Sequence, residues 1–393
     1  MRQQDKNRFR TAHAVRQTGD AGTNATEAVR AIRDEIGDFA PTLVVFFAST
    51  AYDPGTLARE MRDAFPGAAT MGCTTAGEQI DTRLLDGSVV AMAFSKDVFD
   101  YCENALVLGA DEKRPADAGA DVFATASEAM DSIGRGLNAR WIDLDYREYV
   151  GFMLSNQISD FSEGVLDRVG EMTNVMFVGG FAGDDYKLDG SQRVMYDGNS
   201  YAHAAVLALW KPKRGFSLLK TQAATLTGKT LLVTRADEKN RIVWEFDGED
   251  ATAAYARAIG KTAGTMGDID FAEYPIALDA NGEPFLQAVI KQVDGKGLQV
   301  FARTREGTRR SIASVGDVVE TTRSALAAKR AETGDAAAIL HINCVGRHAV
   351  LKDRGGLDGF GALFAGVPTV AMSSYGEIWV GVVAQTSTMI LFK

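Results

Sequence analysis

Apolar and polar positions recur in three blocks of one layout. In the first, the apolar run Leu43, Val44, Val45, Phe46, Phe47 precedes Leu57, Met61 and Phe65 at helical spacing. Met71-Gly72-Cys73-Thr74-Thr75-Ala76-Gly77-Glu78 and an apolar strand at 89–94 follow. The second runs from 150–154 through Val165, Val169 and Met172 to Gly179-Gly180-Phe181-Ala182-Gly183-Asp184, then 204–209. The third runs from 338–344 through Leu357, Phe360 and Phe364 to Ser373-Ser374-Tyr375-Gly376-Glu377, then 388–392. Continuous apolar runs predict buried strands, and i, i+4 spacing predicts helices on their faces. Self-similarity at matched spacing predicts one unit used three times, with Gly77, Gly183 and Gly376 in equivalent turns.

Elsewhere the texture differs. Residues 1–20 are polar and read as a frayed tail. Asn24 or Thr26 can cap a helix that carries Ala28, Val29, Ile32 and Ile36. Residues 110–124 read as a loop that feeds an Ala-rich helix ending near Gly134-Arg135-Gly136. Short strands are expected at 216–234 (long enough for two), 241–246, 286–293, 298–303 and 309–315, with helices at 249–259 and 317–332. Turn dipeptides such as Asp247-Gly248 and Asp294-Gly295 separate them. The expected fold is α/β to α+β: repeated strand-helix-strand units forming mixed sheets covered by helices, plus an antiparallel α+β element between repeats two and three. The expected divisions are a tail and helix at 1–40, a domain of two units at 41–213, and a domain at 214–393 holding the antiparallel element and the third unit.

The chain has 393 residues, enough for two or three domains, with 46% apolar and 24% charged residues. A net charge of −10 gives no basic field for nucleic acid or anionic lipid. Cys73, Cys102 and Cys344 are far apart and form no Cys-x-x-Cys. No apolar run reaches the roughly 18 residues of a membrane span. A cytoplasmic protein is expected.

Candidate chemistry is sparse. No His-Glu-x-x-His, Gly-x-Ser-x-Gly or Walker-type Gly-Lys-Ser/Thr is present. Gly134-Arg135-Gly136-Leu137-Asn138-Ala139 follows no apolar strand, so it is not a dinucleotide turn. His341 interrupts an apolar strand, and His348 follows that strand's end. Arg347 sits where an arginine could clamp a carboxylate or phosphate, or pair with Glu377 or Asp353. Glu78, Asp184, Asp185 and Glu377 could be catalytic carboxylates, or acids that close their own turns. A ligand site is expected at the strand ends of the third unit, from Cys344, Arg347, His348, Tyr375 and Glu377.

These segments resemble one family. Phe47-Ala48-Ser49-Thr50-Ala51-Tyr52 and Gly72-Cys73-Thr74-Thr75-Ala76-Gly77-Glu78 are similar to the N-terminal signature of FIST proteins. Val178-Gly179-Gly180-Phe181-Ala182-Gly183-Asp184-Asp185 resembles the family's glycine turn. Asn343-Cys344-Val345-Gly346-Arg347 and Tyr375-Gly376-Glu377-Ile378 resemble its C-terminal signature. Ala384-Gln385-Thr386 stands where many members have Asn-Gln-Thr. The resemblance implies a non-catalytic intracellular sensor of a small ligand that signals through a partner such as a histidine kinase or a cyclic-di-GMP enzyme. A homo-oligomer is compatible with it. Its most concrete form is a nitric-oxide sensor holding haem b, with His348 or His341, or less directly His203, as candidate iron ligand. The alternatives are a cofactor-free receptor for an amino acid or other small anion, and an enzyme using the turn carboxylates.

Overall fold

A strand that is apolar on both faces has to be covered on both, and three such strands organise this molecule. The computed structural model describes residues 7–16, 19–109, 112, 121–280 and 282–393. The expected loop at 110–124 therefore lies mostly outside the described residues. The first unit comprises β1 (Phe9–Val15), α1 (Ala21–Ile36), β2 (Pro41–Ser49), α2 (Pro54–Ala64), β3 (Ala69–Thr75), β4 (Glu78–Ile80), β5 (Arg83–Leu85) and β6 (Ser88–Ser95). The second repeats that order with β7 (Phe99–Leu108), α3 (Val122–Gly134), β8 (Val150–Ser155), α4 (Asp160–Met172), β9 (Phe177–Phe181), β10 (Val194–Tyr196), β11 (Asn199–Tyr201) and β12 (Ala204–Pro212).

The third unit opens with β13 (Phe216–Gln222) and is then interrupted. The interruption holds β14 (Ala224–Asp237), β15 (Ile242–Phe246), β16 (Glu249–Asp250), α5 (Ala251–Ala258), α6 (Asp268–Glu273), β17 (Ile276–Ala280), β18 (Glu283–Gln287), β19 (Val289–Val293), β20 (Gly297–Val300) and β21 (Arg309–Val315). The unit resumes with α7 (Val318–Thr333), β22 (Ala338–Cys344), α8 (Val345–Asp353), α9 (Leu357–Gly361), β23 (Thr369–Ser374), β24 (Glu377–Trp379), β25 (Gly381–Val383) and β26 (Thr386–Phe392). The antiparallel sheet follows unit two as expected, but it interrupts the third unit rather than preceding it. β13 and α7, grouped with the insertion on sequence texture, belong to the third unit. β13 pairs with β26 from Phe216↔Phe392 to Gln222↔Thr386.

The expected frayed tail is corrected in the same way. Residues 9–15 form β1, paired with β6 from Phe9↔Phe94 to Val15↔Ser88. Their buried side chains are Phe9, Ala12 and Ala14, too small and sparse to stand out as an apolar run.

The three unit sheets are β1-β6-β2-β3-β10-β11, β7-β12-β8-β9-β24-β25 and β13-β26-β22-β23-β4-β5. In each, the first four strands come from one unit and the last hairpin from another. Unit one lends its hairpin to unit three, unit three to unit two, and unit two to unit one. One face of every sheet meets a shared central core, where Phe94 lies 5.5 Å from Phe392 and Phe152 stacks on Trp210 at 5.1 Å. The opposite faces carry the helices. On β2, Leu43, Val45 and Phe47 enter the central core, while Val44, Phe46 and Ala48 face α1 and α2. Asp53 starts α2 by accepting from Thr56 N at 2.7 Å, ahead of Pro54 at a position that needs no amide donor. Leu57 and Met61 then land on one buried stripe.

The units meet at the ends of β3, β9 and β23 in a cyclic set of backbone bonds. Ala76 N donates to Ser373 O (3.0 Å), Tyr375 N to Phe181 O (3.2 Å) and Gly183 N to Thr74 O (2.9 Å). The return donors are Ser373 N to Gly77 O (2.7 Å), Phe181 N to Gly376 O (3.0 Å) and Thr74 N to Arg193 O (2.9 Å). Gly77 and Gly376 thus hold equivalent places, with φ of 134° and 157°. Gly183 does not: it matches Ala76 and Tyr375, and Arg193 fills the glycine position. Residues 184–192 are extra chain at that point, so the expected equivalence of the three glycines holds for two of them.

Candidate functional site at the β22–α8 junction

The surroundings of the turn acids define their part in the fold. Glu78 and Glu377 are buried at the start of the lent hairpins. Glu78 accepts from Thr75 Oγ1, from Ser88 N at 3.0 Å and from Ser88 Oγ at 2.6 Å. Glu377 accepts from Ser374 Oγ at 2.7 Å, Thr386 N at 3.1 Å and Thr386 Oγ1 at 2.8 Å. The two sets are the same construction, tying each hairpin to the strand that follows it. Burial pushes Glu78 up to about 8 and Glu377 up to about 7. Asp184 instead closes the extra loop, accepting from Leu188 N at 3.0 Å, Asp189 N at 3.1 Å and the Tyr375 hydroxyl. Asp185 accepts from Ser49 Oγ at 2.9 Å and Thr50 Oγ1 at 2.6 Å. These carboxylates close turns and are already filled with donors.

The residues expected to form a site converge on one junction but do not share one wall. β22 ends at Cys344, which is the residue before α8. Cys344 Sγ accepts from Gln385 N at 3.2 Å. Burial raises the Cys344 thiol well above its ordinary value, so it is a thiol rather than a thiolate. His348 Nδ1 lies 3.0 Å from Ser373 Oγ, and its Nε2 is 3.9 Å from Asp86 Oδ1. Tyr375 reaches away toward Asp184. Its ring lies 6.5 Å from that of Phe301. Trp379, the other aromatic of that turn, packs against the central core.

Arg347 is the exception in chemistry. Its side chain is buried, yet the ion pair to Glu377 or Asp353 is not formed. Its partners are neutral: Asn343 Oδ1 to Nε at 3.1 Å, and Thr221 Oγ1 at 3.2 Å and Thr322 Oγ1 at 2.9 Å to Nη2. Nη1 has no partner. Burial lowers the guanidinium to about 10, still charged at neutral pH. A buried cation with an open donor is costly unless something anionic completes it.

The surroundings extend the polarity. His341, Asn343, Ser387 and Thr221 lie across adjacent strands β22, β26 and β13, with Asn343↔Ser387 and Thr221↔Ser387 in register. His341 Nε2 is 2.6 Å from Ser387 Oγ, and its Nδ1 is buried without a partner. Burial and the nearby Arg347 push His341 down to about 3, so it is neutral. Gln385 Oε1 is a third orphan, while Gln385 Nε2 donates to Ala272 O of α6 at 2.8 Å. Buried polar atoms almost always find partners, so these three orphans are the groups an added polar atom would satisfy, although none of the described cavities reaches Arg347. Asn343, Thr221, Thr322, Ser387 and Gln385 were missed from sequence. The alternation His341-Ile342-Asn343 on an apolar strand, followed by Arg347 one helical turn on, was the available signal.

The fit to haem is poor as the side chains stand. His341 is engaged by Ser387 and stacked on Phe364 at 5.2 Å, and His348 is engaged by Ser373. His203 packs against Phe161 at 4.9 Å. None of these rings lines a described cavity. Among the described residues no cluster of His, Cys, Asp or Glu is arranged to hold a metal ion. No helix there is long and apolar enough to cross a membrane.

No curated protein sequence matches the chain. Two family models do, the FIST N domain over residues 42–249 and the FIST C domain over 251–379, the border falling inside the inserted sheet. Together they span most of the chain, including the β3 and β23 turns and the β22–α8 junction, and the chain belongs to the FIST family, whose domains are associated with small-ligand sensing in signal transduction.

Proposed function

We propose that this protein is a receptor for a small anion such as an amino acid carboxylate, with Arg347 as the clamp and no cofactor. The observation that carries this reading is the buried Arg347 guanidinium, which has only neutral partners and an open Nη1. A carboxylate oxygen on Nη1 would supply the missing acceptor and neutralise the charge in one contact. Thr322 lies on α7 of the third unit, and Gln385 bonds to α6 of the insertion, so an occupant there adjoins both parts. A shift of either helix is a route by which occupancy reaches a signalling partner, such as a histidine kinase or a cyclic-di-GMP enzyme.

The test is a thermal-shift panel of amino acids and small carboxylates on the wild-type protein and Arg347→Ala. A ligand that binds only the folded state raises Tm, and this rise should vanish in the variant. No response to any small anion in the wild type would remove the reading. The haem-based nitric-oxide sensor is separated by the visible spectrum of the haem-reconstituted protein. A Soret band that His341→Ala or His348→Ala abolishes would favour it instead.

A further inference from the structure

A cavity of about 800 Å³ lies between the end of α7, the turn after it and the chain around Phe364. That volume is in the range of small-molecule sites. Its floor is apolar and includes Leu326, Ile339, Phe364 and Leu391. Its rim is basic: Arg214, Arg323, Arg330 and Lys393 line it, against one acid, Asp335. Such a rim is unexpected in a chain of net charge −10.

Arg323, Arg330 and Lys393 are only lightly committed. Arg323 pairs with Glu320 at 3.2 Å and Arg330 with Asp335 at 2.5 Å, all four side chains about half exposed or more. Exposed pairs of this kind contribute little, so an incoming anion can compete for the guanidinia. Lys393 Nζ donates to Thr333 Oγ1 and Gly334 O, both at 2.9 Å, and both acceptors are neutral. From this complementarity we infer that the groove binds an amphipathic anion of low molecular weight. An alkyl tail lies on Leu326, Ile339, Phe364 and Leu391, and an oxyanion head, carboxylate or phosphate, is forked by Arg323 and Arg330.

The groove is separate from the Arg347 site and does not depend on it. Ile339, His341 and Asn343 alternate along one face of β22, so the groove floor and the Asn343–Arg347 end are about 13 Å apart at ~3.3 Å per residue. Phe364 stands between them, with the groove on one side and the stacked His341 ring on the other.

Titration calorimetry with monomeric decanoate, decyl phosphate and uncharged decanol tests this on the full chain. Both anions should bind at one site, at least tenfold tighter than decanol. The preferred anion distinguishes a carboxylate from a phosphate head. Arg323→Ala/Arg330→Ala should weaken the anions at least tenfold and leave decanol unchanged. Leu326→Trp, which fills the groove, should remove all three, and Arg347→Ala should change none. Unchanged Tm confirms that the variants fold. Equal affinity for decanol and decanoate would overturn the inference. So would binding that survives both groove variants, binding lost only in Arg347→Ala, or association only with anionic phosphatidylglycerol vesicles.

Discussion

On β2 the side chains turned toward the helices are Val44, Phe46 and Ala48, whereas at the matching positions β22 carries Ile339, His341 and Asn343. Four residues beyond Ala48 stands Tyr52, its ring buried and its hydroxyl donating to Gly87 O at 3.2 Å. Four residues beyond Asn343 stands Arg347. Both strands are flanked by a parallel neighbour and an antiparallel one, and both are covered by helices. The first unit shows that this architecture is satisfied by an apolar face. The polar face of the third is therefore not demanded by the fold, and a buried guanidinium without an acid generally costs stability. The lesson is that copies of one scaffold can diverge on the same face: in the first unit it is apolar and packed, and in the third it is polar.

The contrast can be broken by experiment. Phe46→Ala should give the largest effect, about 3–5 kcal/mol of stability, because it empties a site in a closed apolar layer. Denaturant midpoints measure it, and a loss under half of that would show the first unit's layer is looser than its burial indicates. Arg347→Ala comes next but acts on binding: a small carboxylate should bind about 1.5–3 kcal/mol more weakly, as for one charge-assisted bond. Unchanged affinity would return Arg347 to the role of a structural residue.

The two buried glutamates supply a finer comparison. Each holds its proton more tightly in the fold than in the unfolded chain, where the ordinary value is 4.5. Their stabilising contribution is complete below that value and is lost as pH climbs through about 8 for Glu78 and about 7 for Glu377. Above pH 8 both Glu78→Gln and Glu377→Gln should therefore be more stable than the wild type, the gain levelling off at lower pH for Glu377→Gln. Identical pH profiles for the two variants would show that the two turns are energetically interchangeable. The smallest effect is expected of His341→Phe, which copies the first unit's residue into the third. It exchanges one bond to Ser387 and one orphan nitrogen for apolar contact with Phe364, a change of about 1 kcal/mol or less. A loss of several kcal/mol would mean that the polar face is structurally required after all.

Much of the scaffold was legible in the sequence because β2, β8 and β22 are long apolar runs with a single reading. The lent hairpins were not. β4, β5, β10, β11, β24 and β25 have only three residues each, and each hairpin docks on the sheet of another unit, so no local pattern encodes its place. β1 was hidden by its small alanines, and the one-residue offset of Gly183 by the nine extra residues after it. At the candidate site, Arg347 and His341 stood out because each breaks an apolar setting. Thr221 and Thr322 are ordinary threonines on β13 and α7, and only the folded chain brings them to the guanidinium.

The exchange of hairpins also sets a timetable. β4 pairs with β23 through Val370↔Ile80, Ala371↔Gln79 and Met372↔Glu78, residues almost three hundred positions apart. During synthesis the first unit thus carries an undocked hairpin until residues beyond 369 have left the ribosome. Closure over so long a loop is entropically slow, and open strand edges invite wrong partners while they wait. The first unit's sheet can be completed once β10 and β11 have emerged, but docking of β4 and β5 waits for β23, and a chain stalled before β23 would expose the edge that β23 normally covers.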